Sequence, residues 1–206
     1  STLQKKQICK LKAVNKVMSS GALSGYFGSW GKGFYGGKYV QKFEESLSKY
    51  FNVKYAICVN SWTSGLIAAV GALDINPGDE IIVSPWTMSA SAMAILHWNA
   101  IPVFADIENE TFNLNPKDVE KKITKKTKAI MSIDIFGHSG PIKELKKIAK
   151  KYRLKIISDC AQSPGAKYEK KYAGTLTDIG GISLNYHKHI NTGEGGVVFT
   201  NNKTYA

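Results

Sequence analysis

The chain has 206 residues, enough for one large domain, and 43% of them are apolar, with ten Tyr and eight Phe. Its net charge is +12, yet Arg153 is the single arginine; arginine is the preferred residue for bidentate phosphate and base-edge contacts, so the charge argues for a lysine-biased surface and against a nucleic-acid binder. No apolar run approaches the roughly 18 residues of a membrane span, no apolar leader follows Ser1-Thr2-Leu3-Gln4-Lys5-Lys6, and Cys9, Cys58 and Cys160 form neither a disulfide framework nor a CxxC metal site, which together suit a cytoplasmic protein with no metal.

In chain order, Val40, Phe43, Leu47 and Tyr50 give Gly37–Tyr50 a helical period. Tyr55–Val59 reads as a buried strand, and Thr63–Leu73 as a helix stopped near Asn76-Pro77-Gly78. Glu80–Ser84 is a second strand, Ser89–Trp98 a helix and Ile101–Ala105 a third strand. Asn115-Pro116 is a helix start, an N-cap followed by proline at the first helical position. Ala129–Ile135 is the next strand. The helix Pro141–Tyr152 follows, with Ile142, Leu145, Ile148 and Ala149 on one face, and then strands at Lys155–Ser158, Gly181–Leu184 and Val197–Thr200. The lysine-dense stretches Glu120–Lys128 and Lys143–Lys155 read as solvated helix faces. Strands alternating with helices predict an α/β fold, a three-layer α/β/α arrangement around a mostly parallel sheet. In such sheets ligands bind beyond the carboxyl ends of the strands, which singles out the segments after Val59, around Asp159 and around Lys188.

Those three segments carry chemistry. Asn60-Ser61-Trp62-Thr63-Ser64-Gly65 joins a strand to a helix, so free backbone N–H groups, the helix dipole and the Thr63 and Ser64 hydroxyls make an anion site there, or an ordinary helix cap. It is neither a dinucleotide fingerprint nor a P-loop. Asp159-Cys160-Ala161-Gln162 places a carboxylate at a strand end, where it can pair with a protonated ring nitrogen, or cap a turn. Lys188 follows Ser183 by five residues and precedes a glycine-rich turn, Gly193-Glu194-Gly195-Gly196. A lysine so placed can form an imine and lie beside a phosphate. An anion cradle, a ring-nitrogen carboxylate and an imine lysine are the three needs of pyridoxal 5'-phosphate (PLP), with Gln162 in reach of the cofactor's phenolic oxygen and Ser183 adding a phosphate hydroxyl.

The chain resembles the DegT/DnrJ/StrS family of PLP-dependent sugar aminotransferases, of the aspartate-aminotransferase-like fold. The resemblance runs through Gly36-Gly37-Lys38-Tyr39-Val40, Val59-Asn60-Ser61, Pro77-Gly78-Asp79-Glu80, Ala100–Asp106, Thr127-Lys128-Ala129-Ile130, Asp159–Gln162 and the Lys188 run. It implies that Lys188 is the catalytic lysine holding PLP as an imine. It makes Asp159 the partner of the pyridine nitrogen, Gln162 the neighbour of the phenolic oxygen, and Thr63, Ser64 and Ser183 the cradle of the phosphate, with Trp62 a further cofactor-binding residue. Many members carry a Thr-aromatic pair whose aromatic stacks on the cofactor; here the pair is Thr87-Met88, so the Met88 thioether or Trp86 takes that place.

Some relatives replace the lysine with histidine and act as PLP-dependent sugar dehydratases. In this chain the Ser183–Lys188 spacing is kept and His187 and His189 fall at flanking positions, which implies transamination. The implied donor is glutamate, and the implied acceptor a nucleotide-linked keto-sugar of amino-sugar and polysaccharide biosynthesis. Family members are considerably longer. Residues 1–206 are therefore expected to form an incomplete PLP-binding large domain, truncated before the small C-terminal domain. Incomplete cover of the sheet favours a homodimer or higher homo-oligomer. A cofactor-site remnant with a structural or regulatory role is the competing expectation.

Overall fold

The computed structural model describes residues 2–31 and 33–206, with side chains from Gln7 onward. It divides into two compact units, Ser1–Ser46 and Leu47–Ala206. The first holds helix α1 (Thr2–Ser19), then an aromatic loop in which Trp30 and Phe34 stack at 4.1 Å, and the start of α2 (Lys38–Phe51).

The second unit is built as β1 (Tyr55–Val59), α3 (Trp62–Ala72), β2 (Glu80–Val83), α4 (Ser89–Leu96), β3 (Ile101–Phe104), α5 (Pro116–Lys122), β4 (Thr127–Ile133), α6 (Ile142–Tyr152) and β5 (Lys155–Asp159). A two-stranded hairpin, β6 (Lys167–Tyr168) and β7 (Lys171–Tyr172), precedes β8 (Ile179–Ser183) and β9 (Gly196–Thr200). Asn115 caps α5, its side chain accepting from the N–H of Lys117 at 2.9 Å, with Pro116 opening the helix. Strand β1 spans the residues expected but is not the buried strand expected, since it lies at the sheet edge with only Ala56 buried; most other boundaries shift by one or two residues, as helix and strand ends do.

The seven-stranded sheet has the order β1-β9-β8-β5-β4-β2-β3. Pairing is parallel from β8 through β3, whereas β9 is antiparallel to both neighbours. Two reversals restore direction, so β1 runs the same way as β8, and every strand but β9 ends at one edge. Successive residues point to opposite faces. Ile81, Met131 and Ile157 therefore join Leu66 and Val70 of α3 and Ile95 of α4, while Ile82, Ile130 and Ile156 join Val119 of α5 and Leu145 and Ile148 of α6. This is the α/β/α layering expected from the alternation of elements. No helix among the described residues is long and apolar enough to cross a membrane, and no group of His, Cys, Asp and Glu among them could hold a metal.

Candidate active site

The reversed strand sets the site's geometry. Gly196 opens β9 between Val59 of β1 and Ser183 of β8, and Asp159 of β5 pairs with Gly181 of β8. The α3 N-terminus, Ser183 and Asp159 thus meet at the edge where the strands end. There a cavity of about 520 Å³ is lined by Trp62, Thr63, Met88, Asp159, Gln162, Ser183 and Lys188, together with Leu66, Phe136, Asn185 and Glu194. Seven sequence-predicted residues, more than 120 positions apart at the extremes, line one cavity.

Ser61 is the N-cap of α3; its Oγ accepts from Ser64 N at 3.1 Å and lies 3.1 Å from Ser64 Oγ. The Ser64 hydroxyl is turned to the cap, and Ser64 is outside the lining. The N–H groups of Trp62 and Thr63 lie in the first turn, where no intrahelical acceptor exists, and both residues line the cavity. Across Gly196, Ser183 Oγ accepts from Asn185 N at 3.3 Å.

Lys188 stands on the β8–β9 loop, its own N–H bonded to Asn185 O at 2.9 Å. Asn185 Nδ2 donates to Glu194 Oε1, tying the two ends of the loop together. The Lys188 ammonium joins no ion pair among the described residues, so its nitrogen is available to a ligand in the cavity.

Asp159, 5% exposed, is the best-held polar group in the site. Its Oδ1 accepts from Trp62 Nε1 at 2.6 Å and from Ala161 N at 3.1 Å, and its Oδ2 accepts from Ser91 Oγ at 2.9 Å. Gln162 presents its Oε1 to the N–H of Phe136 at 2.9 Å, which leaves the donor end of the amide for a ligand. Phe136 has a φ of 53°, a left-handed backbone unusual for an aromatic residue, and is 67% exposed at the cavity wall. Met88 lines the cavity, whereas Trp86 does not: its ring is tilted on Phe112 at a centroid distance of 5.7 Å. Of the two candidates for the stacking position, the thioether is the one at the cavity.

Sequence reasoning missed Ser91, Phe136 and a second buried carboxylate, Asp134. Asp134 follows β4, its N–H bonded to Asp159 O at 2.9 Å. Its Oδ2 accepts from Cys160 Sγ at 2.8 Å and its Oδ1 from Gly140 N at 2.9 Å. Burial raises its pKa to about 6, with the Asp159 charge adding to the rise and the Cys160 and Gly140 hydrogen bonds opposing it. Burial, and then the Asp134 charge, push the Cys160 thiol up, which makes it a packing group and not a nucleophile.

This shift has a consequence for stability. The unfolded carboxyl titrates near its ordinary 3.8 and the folded one at about 6, so the folded chain binds the extra proton between them. The stabilisation is complete below the lower value and is lost as pH rises through the upper one. Asp134→Asn is expected to remove that loss, on the order of 3 kcal/mol. Urea melts from pH 4 to 8 should show a flatter stability profile in the variant; parallel profiles would contradict the assignment.

The model of the DegT/DnrJ/EryC1/StrS aminotransferase family matches residues 28–206, and the chain belongs to this family. It is 45% identical over 168 residues to the GDP-perosamine synthase of Escherichia coli O157:H7, covering 82% of this chain and 46% of that enzyme. The X-ray structure of the aminotransferase from Psychrobacter cryohalolentis superposes with a TM-score of 0.88 at 32% identity, over 96% of this chain and 48% of that one. A GDP-4-keto-6-deoxymannose-3-dehydratase with a trapped PLP-glutamate geminal diamine superposes with a TM-score of 0.78 at 31% identity, over 82% and 46% of the two chains. The chain spans about half the length of the curated relatives it matches.

Proposed function

We propose that the chain is the cofactor-binding, large-domain part of a PLP-dependent aminotransferase that moves an amino group from glutamate to a nucleotide-linked keto-sugar. One observation carries the reading: one cavity gathers Lys188, which has no ion pair among the described residues, a buried carboxylate and the first residues of helix α3. These donors suit the group. The α3 terminus with Thr63 and Ser183 takes a phosphate, the Asp159 carboxylate takes a protonated ring nitrogen, the Gln162 amide donates to a ring oxygen, and Met88 covers an apolar ring face. The volume lies in the range of small-molecule sites.

Bound there, PLP supplies an electron sink for charge developing on the substrate carbon. The protein's own residues do the rest. Lys188 Nζ would hold the cofactor covalently and, as a free amine, would move the substrate carbon's proton as general base and then acid. Asp159 keeps the ring nitrogen protonated by placing a negative charge beside it. Leu66, Met88 and Phe136 give the cavity an apolar wall against which the cofactor would lie.

The E. coli GDP-perosamine synthase supports a GDP-linked sugar as acceptor and a place in polysaccharide biosynthesis. We further propose a cytoplasmic homodimer or higher homo-oligomer; Ile101 and Phe104, exposed on the edge strand β3, which pairs only with β2 among the described residues, support self-association. Lysine at position 188 favours transamination over dehydration. The test is the donor half-reaction: the PLP-loaded chain with glutamate should yield one equivalent each of pyridoxamine phosphate and 2-oxoglutarate. Binding of PLP without conversion by glutamate would favour the remnant reading.

A further inference from the structure

We propose that Trp62 and Ser91 are positioning residues that orient the Asp159 carboxylate and leave one lone pair, on Oδ2, for the ring nitrogen of the cofactor. This rests on the functional reading above and extends it to two side chains that need not touch the cofactor's ring nitrogen themselves.

The hydrogen-bond count leads to it. A carboxylate oxygen offers two lone-pair directions. Both on Oδ1 are taken, by Trp62 Nε1 at 2.6 Å and Ala161 N at 3.1 Å. One on Oδ2 is taken by the Ser91 hydroxyl at 2.9 Å. Ser91 has a single proton and gives it to Asp159, so the Thr87 hydroxyl, 2.9 Å away, must be the donor in the contact between them. A directed chain, Thr87 to Ser91 to Asp159, closes one side, the indole closes the other, and a single acceptor direction remains.

The indole is held there by a slot cut in the core. Trp62 is 4% exposed. A Cβ on Gly65 would lie 2.7 Å from its ring, one on Gly181 would lie 2.2 Å from it, and one on Gly196 would lie 2.6 Å from the Trp62 backbone nitrogen. Gly65 is inside a helix and Gly181 inside a strand, positions where glycine is destabilising relative to alanine. An alternative role for Trp62, as core packing alone, leaves its short bond to Asp159 without function, and the two readings separate by experiment.

The probes are PLP and its 1-deaza analogue, in which C–H replaces the ring nitrogen; dissociation constants are measured on the 206-residue chain. Asp159 can favour only PLP, so the ratio of the two constants reports its action on the ring nitrogen. Trp62→Phe keeps the ring and removes the N–H; it is expected to reduce the preference for PLP roughly tenfold, the worth of one charge-assisted hydrogen bond. Ser91→Ala should reduce it in the same direction and serves if Trp62→Phe does not fold. Equal weakening of both ligands in these variants, with the ratio unchanged, overturns the proposal and leaves Trp62 a packing residue. Asp159→Ala is the control: if it too leaves the ratio unchanged, the pairing of Asp159 with the ring nitrogen fails, whereas collapse of the ratio in Asp159→Ala alone refutes only the role of Trp62 and Ser91.

Discussion

Lys188→Ala is expected to abolish covalent attachment of PLP and to slow the glutamate half-reaction by about 10²–10⁴, the range that a positioned general acid–base contributes. The fold should tolerate the change. Lys188 sits on a loop, its side chain has no ion-pair partner among the described residues, and the bond from its backbone N–H to Asn185 O survives substitution. Replacing a half-buried loop side chain that joins no ion pair among the described residues should change stability little. Non-covalent binding of pyridoxamine phosphate, which needs no lysine, should persist because α3, Ser183 and Asp159 are untouched. The absorbance of bound PLP and the rate of its conversion by glutamate check both halves. Wild-type conversion in the alanine variant would place the base elsewhere, and His187 and His189, which line the same cavity, would be the next residues to replace.

Asp159→Asn is expected to separate binding from chemistry. Its neighbours can adapt to an amide. If the amide oxygen takes the Oδ1 position, it still accepts from Trp62 Nε1 and Ala161 N, and Nδ2 can donate to Ser91 Oγ once Ser91 and Thr87 reverse their shared hydrogen bond. The second Nδ2 proton then faces the ring nitrogen, which a neutral pyridine accepts. PLP binding should therefore fall by no more than about tenfold. The half-reaction should fall by roughly 10² or more, because the charge that keeps the ring protonated is gone. Stability should change little, in contrast to Asp159→Ala, which strands a buried indole N–H, an amide N–H and a hydroxyl at about 1–3 kcal/mol each. An Asn variant with an unchanged rate would remove Asp159 from the chemistry.

The parts of this structure that were legible in the sequence are those set by local pattern. The run Tyr55–Val59 is apolar throughout and bounded by polar residues, and the strand occupies those five positions. Asn115-Pro116 signals a helix start chemically, and the cap bond is present. Alternation of elements gave the layers and the edge on which a ligand would sit, so Asp159, Ser183 and Lys188 could be placed near one another without coordinates.

What was not legible depends on partners far along the chain. The direction of β9 is fixed by its pairing with β1 and β8, and nothing in Gly196–Thr200 states it. Helix α1 has Ile8, Leu11, Val14 and Met18 near helical spacing, but all are exposed, so its apolar residues are not matched by burial. The hairpin β6–β7 has two residues per strand, too few for any period to register. Trp62 stood in an anion-binding turn, yet its indole reaches a carboxylate 97 positions away. Ser91 is a polar residue within the apolar helix Ser89–Leu96, a signal that could have been read as a buried hydroxyl in need of a partner. Asp134 owes its raised pKa to desolvation by the assembled core, which no local pattern records.

Reductive trapping tests the central claim most directly. The chain is incubated with PLP, treated with borohydride, digested and mapped by mass. The phosphopyridoxyl group should be found on Lys188, at one equivalent per chain and out of all proportion to the many surface lysines. A label spread over those lysines, or concentrated on one outside the cavity, would contradict the account.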